Sequence, residues 1–322
     1  MPGATVLRCL LLLALSTVAA AQSPVTQDGY VDNRGLKLFY HIVGHSADTV
    51  VVIHGGPGFT LDYLAPDLEP LTAHHTLLFY DQRGAGKSTL VGDSAGLTVD
   101  KFVDDLEAIR RHFHMKKLTL LAHSWGAAVA ALYAIRYPDQ VSRMIIVGGL
   151  PMTGRERDQA FGQLAAKRDS ATKQALQKWY EARVRDPGDT VACRAYFHLW
   201  FVPLFADSAA VSRSKGDFCA GTPDSRRNKI QSVDKYTLAS LGDWDWRPGL
   251  RHLQAPVLVI QGTSVIFPEA TGREWALSVP NGRLLVLKGA GHFPYLDAPD
   301  VFFGAVDEFL KGGWPDGVTR LR

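Results

Sequence analysis

Cysteine is scarce in this chain: three in 322 residues, at positions 9, 193 and 219. So few exclude a scaffold stapled by many disulfides, and none shows the paired spacing of a zinc module, so no metal site is expected. Charge of one sign is lacking too. Thirty-five Lys and Arg stand against 32 Asp and Glu, a formal net charge of +3, and the basic stripe that nucleic acid requires is missing. There is no internal repeat. Apolar residues at 46% and charged ones at 21% exclude a disordered or low-complexity chain. Beyond the first 21 residues, no apolar run approaches the roughly 20 needed to span a bilayer.

Residues 1–21 read as an export signal. Arg8 supplies positive charge, 9–18 is an apolar run, and Ala19, Ala20 and Ala21 offer a small-residue cleavage site. An uncleaved anchor is the alternative. Cleavage would leave a secreted or periplasmic protein with no stable membrane insertion, and would put Cys193 and Cys219 in an oxidising compartment. A bridge closing those 219 − 193 = 26 positions would add roughly 3–4 kcal/mol in the chain-entropy model. Two free thiols are equally compatible with the sequence, which does not supply the distance.

Short apolar runs at 49–53, 77–80, 118–121, 144–147, 256–260 and 284–287 are continuous rather than alternating. Parallel strands covered on both faces read this way. A further run at 36–41 follows a turn at Asn33, Arg34 and Gly35 and suits an edge hairpin. Between the runs, 99–113 has apolar residues at helical spacing, with acids early and Arg110 and Arg111 late, as the helix dipole favours. Residues 301–310 repeat the amphipathic pattern. The fold class is therefore α/β, a mostly parallel doubly wound sheet. Residues 151–250 break the rhythm and predict an inserted helical cap. It divides a core made of 22–150 and 251–322 and lies over the sheet edge where such folds bind ligands.

The residues with chemistry cluster at strand ends. His123-Ser124-Trp125-Gly126 follows the 118–121 run and opens a small-residue helix. A serine on such a turn is exposed as a nucleophile beside a helix N-terminus, although Ala122 stands where a first Gly is usual. His54-Gly55-Gly56-Pro57-Gly58 follows the 49–53 run. Its glycines let a backbone N–H, at Gly56, approach a developing oxyanion together with that of Trp125. His292 sits among glycines just past the last strand, and serine followed by histidine is the chain order of such sites. Residues 84–88 echo a phosphate loop, but Asp81 occupies the position that needs Gly. Asp81 and Arg83 are read instead as structural ties. The pairs His74/His75 and His112/His114 lack a ligand constellation and are read as surface residues.

HGGPG at 54–58, DQRGAGKS at 81–88, HSWG at 123–126 and GHFPYLDAP at 291–299 together resemble the α/β-hydrolase superfamily, and within it the proline iminopeptidases. The resemblance spans essentially the whole chain after residue 21. It implies Ser124 as nucleophile, His292 as general base, Gly56 and Trp125 as oxyanion donors, no cofactor, and a small peptide or ester as substrate. Aminopeptidase action leads, with a carboxylesterase of small acyl esters close behind. The rival is a binding protein that has lost turnover.

The family's third member, an acid after the 256–260 run, is absent: Ser264 and Val265 occupy its place. Glu269 farther along the loop is the favoured substitute, Asp243 or Asp245 at the cap hinge are others, and a slow dyad is the third option. Cap acids of the family hold a substrate's α-amine. Glu181 is the candidate here, against a plain solvated role.

Overall fold

The computed structural model describes residues 25–263 and 266–321. The proposed signal at 1–21 and the Ser264-Val265 pair lie outside the described residues. The strands are β1 (Val25–Asn33), β2 (Leu36–Gly44), β3 (Thr49–Ile53), β4 (Thr76–Tyr80), β5 (Leu118–His123), β6 (Val141–Val147), β7 (Val257–Gly262) and β8 (Gly282–Leu287). They form one eight-stranded sheet in the order β1-β2-β4-β3-β5-β6-β7-β8. β1 pairs antiparallel with β2, and β2 antiparallel with β4. Every pairing from β4 to β8 is parallel.

The helices that frame the site are α1 (Val99–His112), α2 (Gly126–Arg136), α3 (Gly154–Lys167), α4 (Ser170–Arg185), α5 (Thr190–Phe201), α6 (Pro223–Asn228), α7 (Asp234–Ser240), α8 (Glu269–Ser278) and α9 (Pro299–Leu310). The unbroken apolar runs are explained by burial on both faces. In β3, Val51 and Ile53 pack with Phe102 and Leu106 of α1 and the alanines of α2. Val50 and Val52 join the opposite layer with Phe302, Val306 and Phe309 of α9. Side chains alternate between faces along a strand, so a strand sandwiched between helices needs apolar residues at every position. Each aliphatic side chain buried this way contributes about 1.5–3 kcal/mol.

β1 carried no such signal because, at the sheet edge, most of its residues are exposed and Val31 alone is sealed. Residues between β6 and β7 are helical, and the insertion is tied at its base. Gly154 N–H donates to the Trp244 carbonyl at 3.1 Å, and Trp246 N–H to Met152 at 3.1 Å. Cys193 at the start of α5 is bonded to Cys219, with Cα atoms 5.9 Å apart, so the bridge left open by the sequence is formed within the cap.

Candidate active site

Ser124 stands between the end of β5 and the start of α2 with φ +54°. A non-glycine residue in the left-handed region is held there by its surroundings at a cost of order 1–3 kcal/mol. Ser124 N–H donates to the Val147 carbonyl at 3.0 Å, and its own carbonyl accepts from Ala127 at 3.0 Å. Gly126 lets the helix start this close to the sheet: a Cβ there would lie 2.3 Å from the Ile53 carbonyl oxygen. Ala122 is sealed beside Ile53 in the β3–β5 register, where a methyl fits.

The glycine loop after β3 faces the serine. Gly56 has φ +134°, a conformation that side chains resist. Trp125 precedes the first residue of α2, so its N–H is among the donors that a helix leaves without an internal partner. Gln82 binds the two halves of this corner together. Its side chain donates to the His54 carbonyl at 2.8 Å and accepts from the Trp125 indole at 2.9 Å. Asp81 accepts from Leu61 and Lys87 backbone N–H groups at 2.8 Å each. Arg83 forms a two-pronged pair with Asp105 at 2.6 and 2.7 Å. Both are the structural ties read from the sequence. Lys229 adds a brace from the cap, donating to the Pro57 carbonyl and to Asp234 at 2.6 Å each.

His292 Nε2 lies 3.0 Å from Ser124 Oγ across 168 positions of sequence. The loop that carries it is fixed by its backbone: His292 N–H donates to Leu204 at 2.7 Å, and Gly291 N–H to Asp297 at 2.6 Å. A buried chain that sequence reading missed joins this loop to the oxyanion corner. Gly55 N–H donates to Tyr63 Oη at 2.5 Å, Tyr63 O–H lies 2.8 Å from His123 Nδ1, and His123 Nε2 lies 3.0 Å from the His292 carbonyl. Both ends are backbone groups of fixed polarity, so Tyr63 donates to Nδ1 and the His123 proton sits on Nε2. Burial holds His123 neutral by lowering its pKa to about 4, and pushes the Tyr63 phenol up. No spacing rule points to Tyr63 or His123; their roles arise only where the two loops meet.

The expected acid is not found where it was sought. Among the described residues, His292 Nδ1 is buried with no hydrogen-bond partner. Burial, and then His123, lower the His292 pKa well below its ordinary value. Glu269 opens α8 in its first turn, where the helix dipole favours a carboxylate, and it makes no bond to His292. Asp245 is engaged by Arg247 at 2.8 and 2.9 Å, and Asp243 lies near Gly154 at the cap hinge. Nδ1 instead faces Gly148, whose Cβ, were there one, would stand 3.0 Å away.

Between the strand ends and the cap lies a cavity of about 440 Å³ lined by Ser124, His292 and Gly56, and by Phe59, Phe197 and Trp200 among other aromatics. The aromatic stretch of α5 thus serves the cavity as well as the cap interior. Glu181 does not reach it. It is exposed on α4 and accepts from Gln177 at 2.7 Å, so the face of α4 that turns inward carries Arg183 instead. The surface reading also fails for His75, which is buried on Asp307 at 2.9 Å. Among the described residues, no group of three or more His, Cys, Asp or Glu is placed to hold a metal ion. None of the described helices is long and apolar enough to cross a membrane.

A family model for the alpha/beta hydrolase fold matches residues 48–299. The proline iminopeptidase of Saccharolobus solfataricus is 26% identical over 298 residues, spanning 88% of this chain and 92% of that protein. The proline iminopeptidase of Heyndrickxia coagulans is 24% identical over 298 residues, spanning 88% and 98%. Among solved structures, the Mycobacterium smegmatis proline iminopeptidase superposes with a TM-score of 0.65 at 23% identity, covering 88% of this chain and 98% of that one. An enol-lactonase from Burkholderia xenovorans superposes at 0.62 with 20% identity, covering 88% and 100%; these are likenesses of fold. The chain belongs to the α/β-hydrolase fold family and, within it, is similar to the proline iminopeptidases.

Proposed function

We propose that this chain is an exported serine hydrolase that opens an ester, or an activated amide, through an acyl-enzyme. The observation that carries the reading is the 3.0 Å contact between Ser124 Oγ and His292 Nε2 at a positive-φ elbow beside the glycine loop. Ser124 Oγ attacks the carbonyl carbon while His292 takes its proton. The N–H groups of Gly56 and Trp125 hold the oxygen as it gains charge. The proton passes to the leaving group as its bond to carbon breaks; water then repeats the sequence and releases the acid.

The names of the relatives support an aminopeptidase, and two features favour the ester. An α-amine needs a free carboxylate, but the two that line the cavity are engaged: Asp158 by Arg157 and Asp234 by Lys229, each at 2.6 Å. His292 also lacks a carboxylate partner among the described residues, and a weakened acid–base group serves an alkoxide leaving group better than an amine. The Cys193–Cys219 bond supports export, since such bonds persist in oxidising compartments.

A fluorophosphonate probe is expected to label the wild type at Ser124 and to leave Ser124→Ala unlabelled. Equal, absent labelling of both proteins would replace the enzyme with a binding protein. Acyl esters are then expected to turn over faster than prolyl arylamides, and the reverse order would restore the aminopeptidase.

A further inference from the structure

The charges lining the cavity do not cancel. Arg157, Arg183 and Lys229 stand against Asp158 and Asp234. Two of the cations hold the two carboxylates at 2.6 Å. Arg183 is left over: it is 6% exposed and forms no ion pair with any described residue. Asp234 acts on it only through space. A guanidinium this deep is expensive to desolvate unless something meets it.

Its immediate neighbours address only half of its chemistry. The Arg183 guanidinium lies over the rings of Tyr196 and Phe197, 4.6 and 4.7 Å from their centroids. Those two rings stand at 77° to one another, so the planar group can lie flat on only one of them, and neither ring supplies an anion. Its five N–H donors radiate in the plane, along the edge, in a fork that matches two carboxylate oxygens. Packing against the two rings restricts the group, so less freedom is lost when a ligand arrives. Phe197 in turn packs on Phe59, centroids 5.1 Å apart, and Phe59 follows directly on the glycine loop. Arg183 and the oxyanion corner are therefore walls of one chamber, separated by aromatic surface.

We infer that Arg183 is the docking group for a carboxylate carried by the substrate, so that this hydrolase acts on acyl compounds with an anionic end and an apolar stem. The inference rests on the hydrolase reading and narrows it to a substrate class. The stem would lie along Phe59 and Phe197, with the reacting carbonyl at Ser124 and the carboxylate on the Arg183 fork. Two-pronged pairing makes arginine different from lysine at such a site.

The test uses two esters that differ in charge and by one methyl group, p-nitrophenyl hydrogen glutarate and p-nitrophenyl methyl glutarate. The wild type is expected to favour the anionic ester by about thirtyfold in kcat/KM, mostly through KM. Arg183→Gln should bring that ratio close to one, and Arg183→Lys should keep part of it. Because both esters meet the same protein preparation, the ratio is insensitive to any misfolded fraction. A wild-type ratio near one, or an unchanged ratio in Arg183→Gln, overturns the inference while leaving the hydrolase standing. If neither ester turns over and Ser124 resists the fluorophosphonate, the hydrolase reading has failed instead. Calorimetry with glutarate on Ser124→Ala then decides the Arg183 site separately: binding that Arg183→Gln abolishes upholds the site, and no binding ends it.

Discussion

Two imidazoles at the heart of the site make stability depend on pH in a way that can be calculated. Burial lowers the pKa of both His54 and His123 to about 4, against about 6.5 in an unfolded chain. Between those values the unfolded state binds protons that the folded state refuses. Stability from these groups is complete above about pH 6.5 and is lost as pH falls towards 4. At pH 5 each histidine removes about 2 kcal/mol relative to pH 8. Asp81 works in the opposite direction: burial raises its pKa to about 6, so protonation favours the folded state by roughly 1 kcal/mol at pH 5. Asp105 and Asp297 are raised as well and His292 is lowered, so the wild-type profile mixes opposing contributions and the decisive quantity is a difference between proteins. In His123→Gln the side chain cannot titrate, yet it can still accept from Tyr63 and donate to the His292 carbonyl. Urea unfolding followed by tryptophan fluorescence at pH 8 and pH 5 is expected to show the variant losing about 2 kcal/mol less than the wild type. Any fixed penalty for altered packing is present at both pH values and cancels. Equal losses in the two proteins would mean that burial does not hold His123 neutral, and the one-way chain from Gly55 to His292 would fall with it.

Tyr63→Phe strands the Gly55 N–H and His123 Nδ1 in a sealed site, so stability should fall by about 1–3 kcal/mol. If the chain positions the catalytic loops, kcat should drop about tenfold with KM little changed; an unchanged kcat would reduce Tyr63 to packing. For the cap, Cys193→Ser should cost roughly 3–4 kcal/mol in urea unfolding, the value for a closed loop of this length. Intact-mass analysis of the wild type should show the two-proton deficit of one disulfide, and unfolding that is indifferent to reductant would refute the bond.

The sheet and the meeting of Ser124 with His292 were legible because their signals are local. Continuous apolar runs reflect strands covered on both faces, and Ser124 and His292 each sit in a turn whose glycines are dictated by close backbone approach. β1 was not legible, since an exposed edge strand makes no demand for apolar residues at any period. Glu181 took the plain solvated role rather than the candidate one because its position in the sequence says nothing about which side of α4 faces inward; two residues on, Arg183 takes that face. Tyr63 and His123 meet across 60 positions and Lys229 reaches Pro57 across 172. No pattern in either segment alone encodes contacts of that kind.

Among the described residues His292 Nδ1 has no partner and Arg183 has no ion pair, and both bear on the same chemistry. A histidine acts as base through Nε2 only when its proton sits on Nδ1, and a partner at Nδ1 is what selects that tautomer. Without one, the ring is as ready to donate to Ser124 as to accept from it. The end of β6 offers no acid either: Gly148 stands so close to the ring that a Cβ there would lie 3.0 Å from Nδ1, and Gly149 is next to it. Losing the acid typically costs about 10⁴-fold, or roughly 5–6 kcal/mol of barrier. What survives in such sites is the oxyanion hole and substrate binding. Rate then depends on how firmly the carbonyl is held in line with Ser124. A carboxylate held at the proposed Arg183 site in the cavity wall would provide such an anchor, because binding away from the reacting bond orients it. An anionic ester satisfies both conditions, with a leaving group that needs little help from an acid and a charge that meets Arg183. A cationic amine of an N-terminal residue satisfies neither.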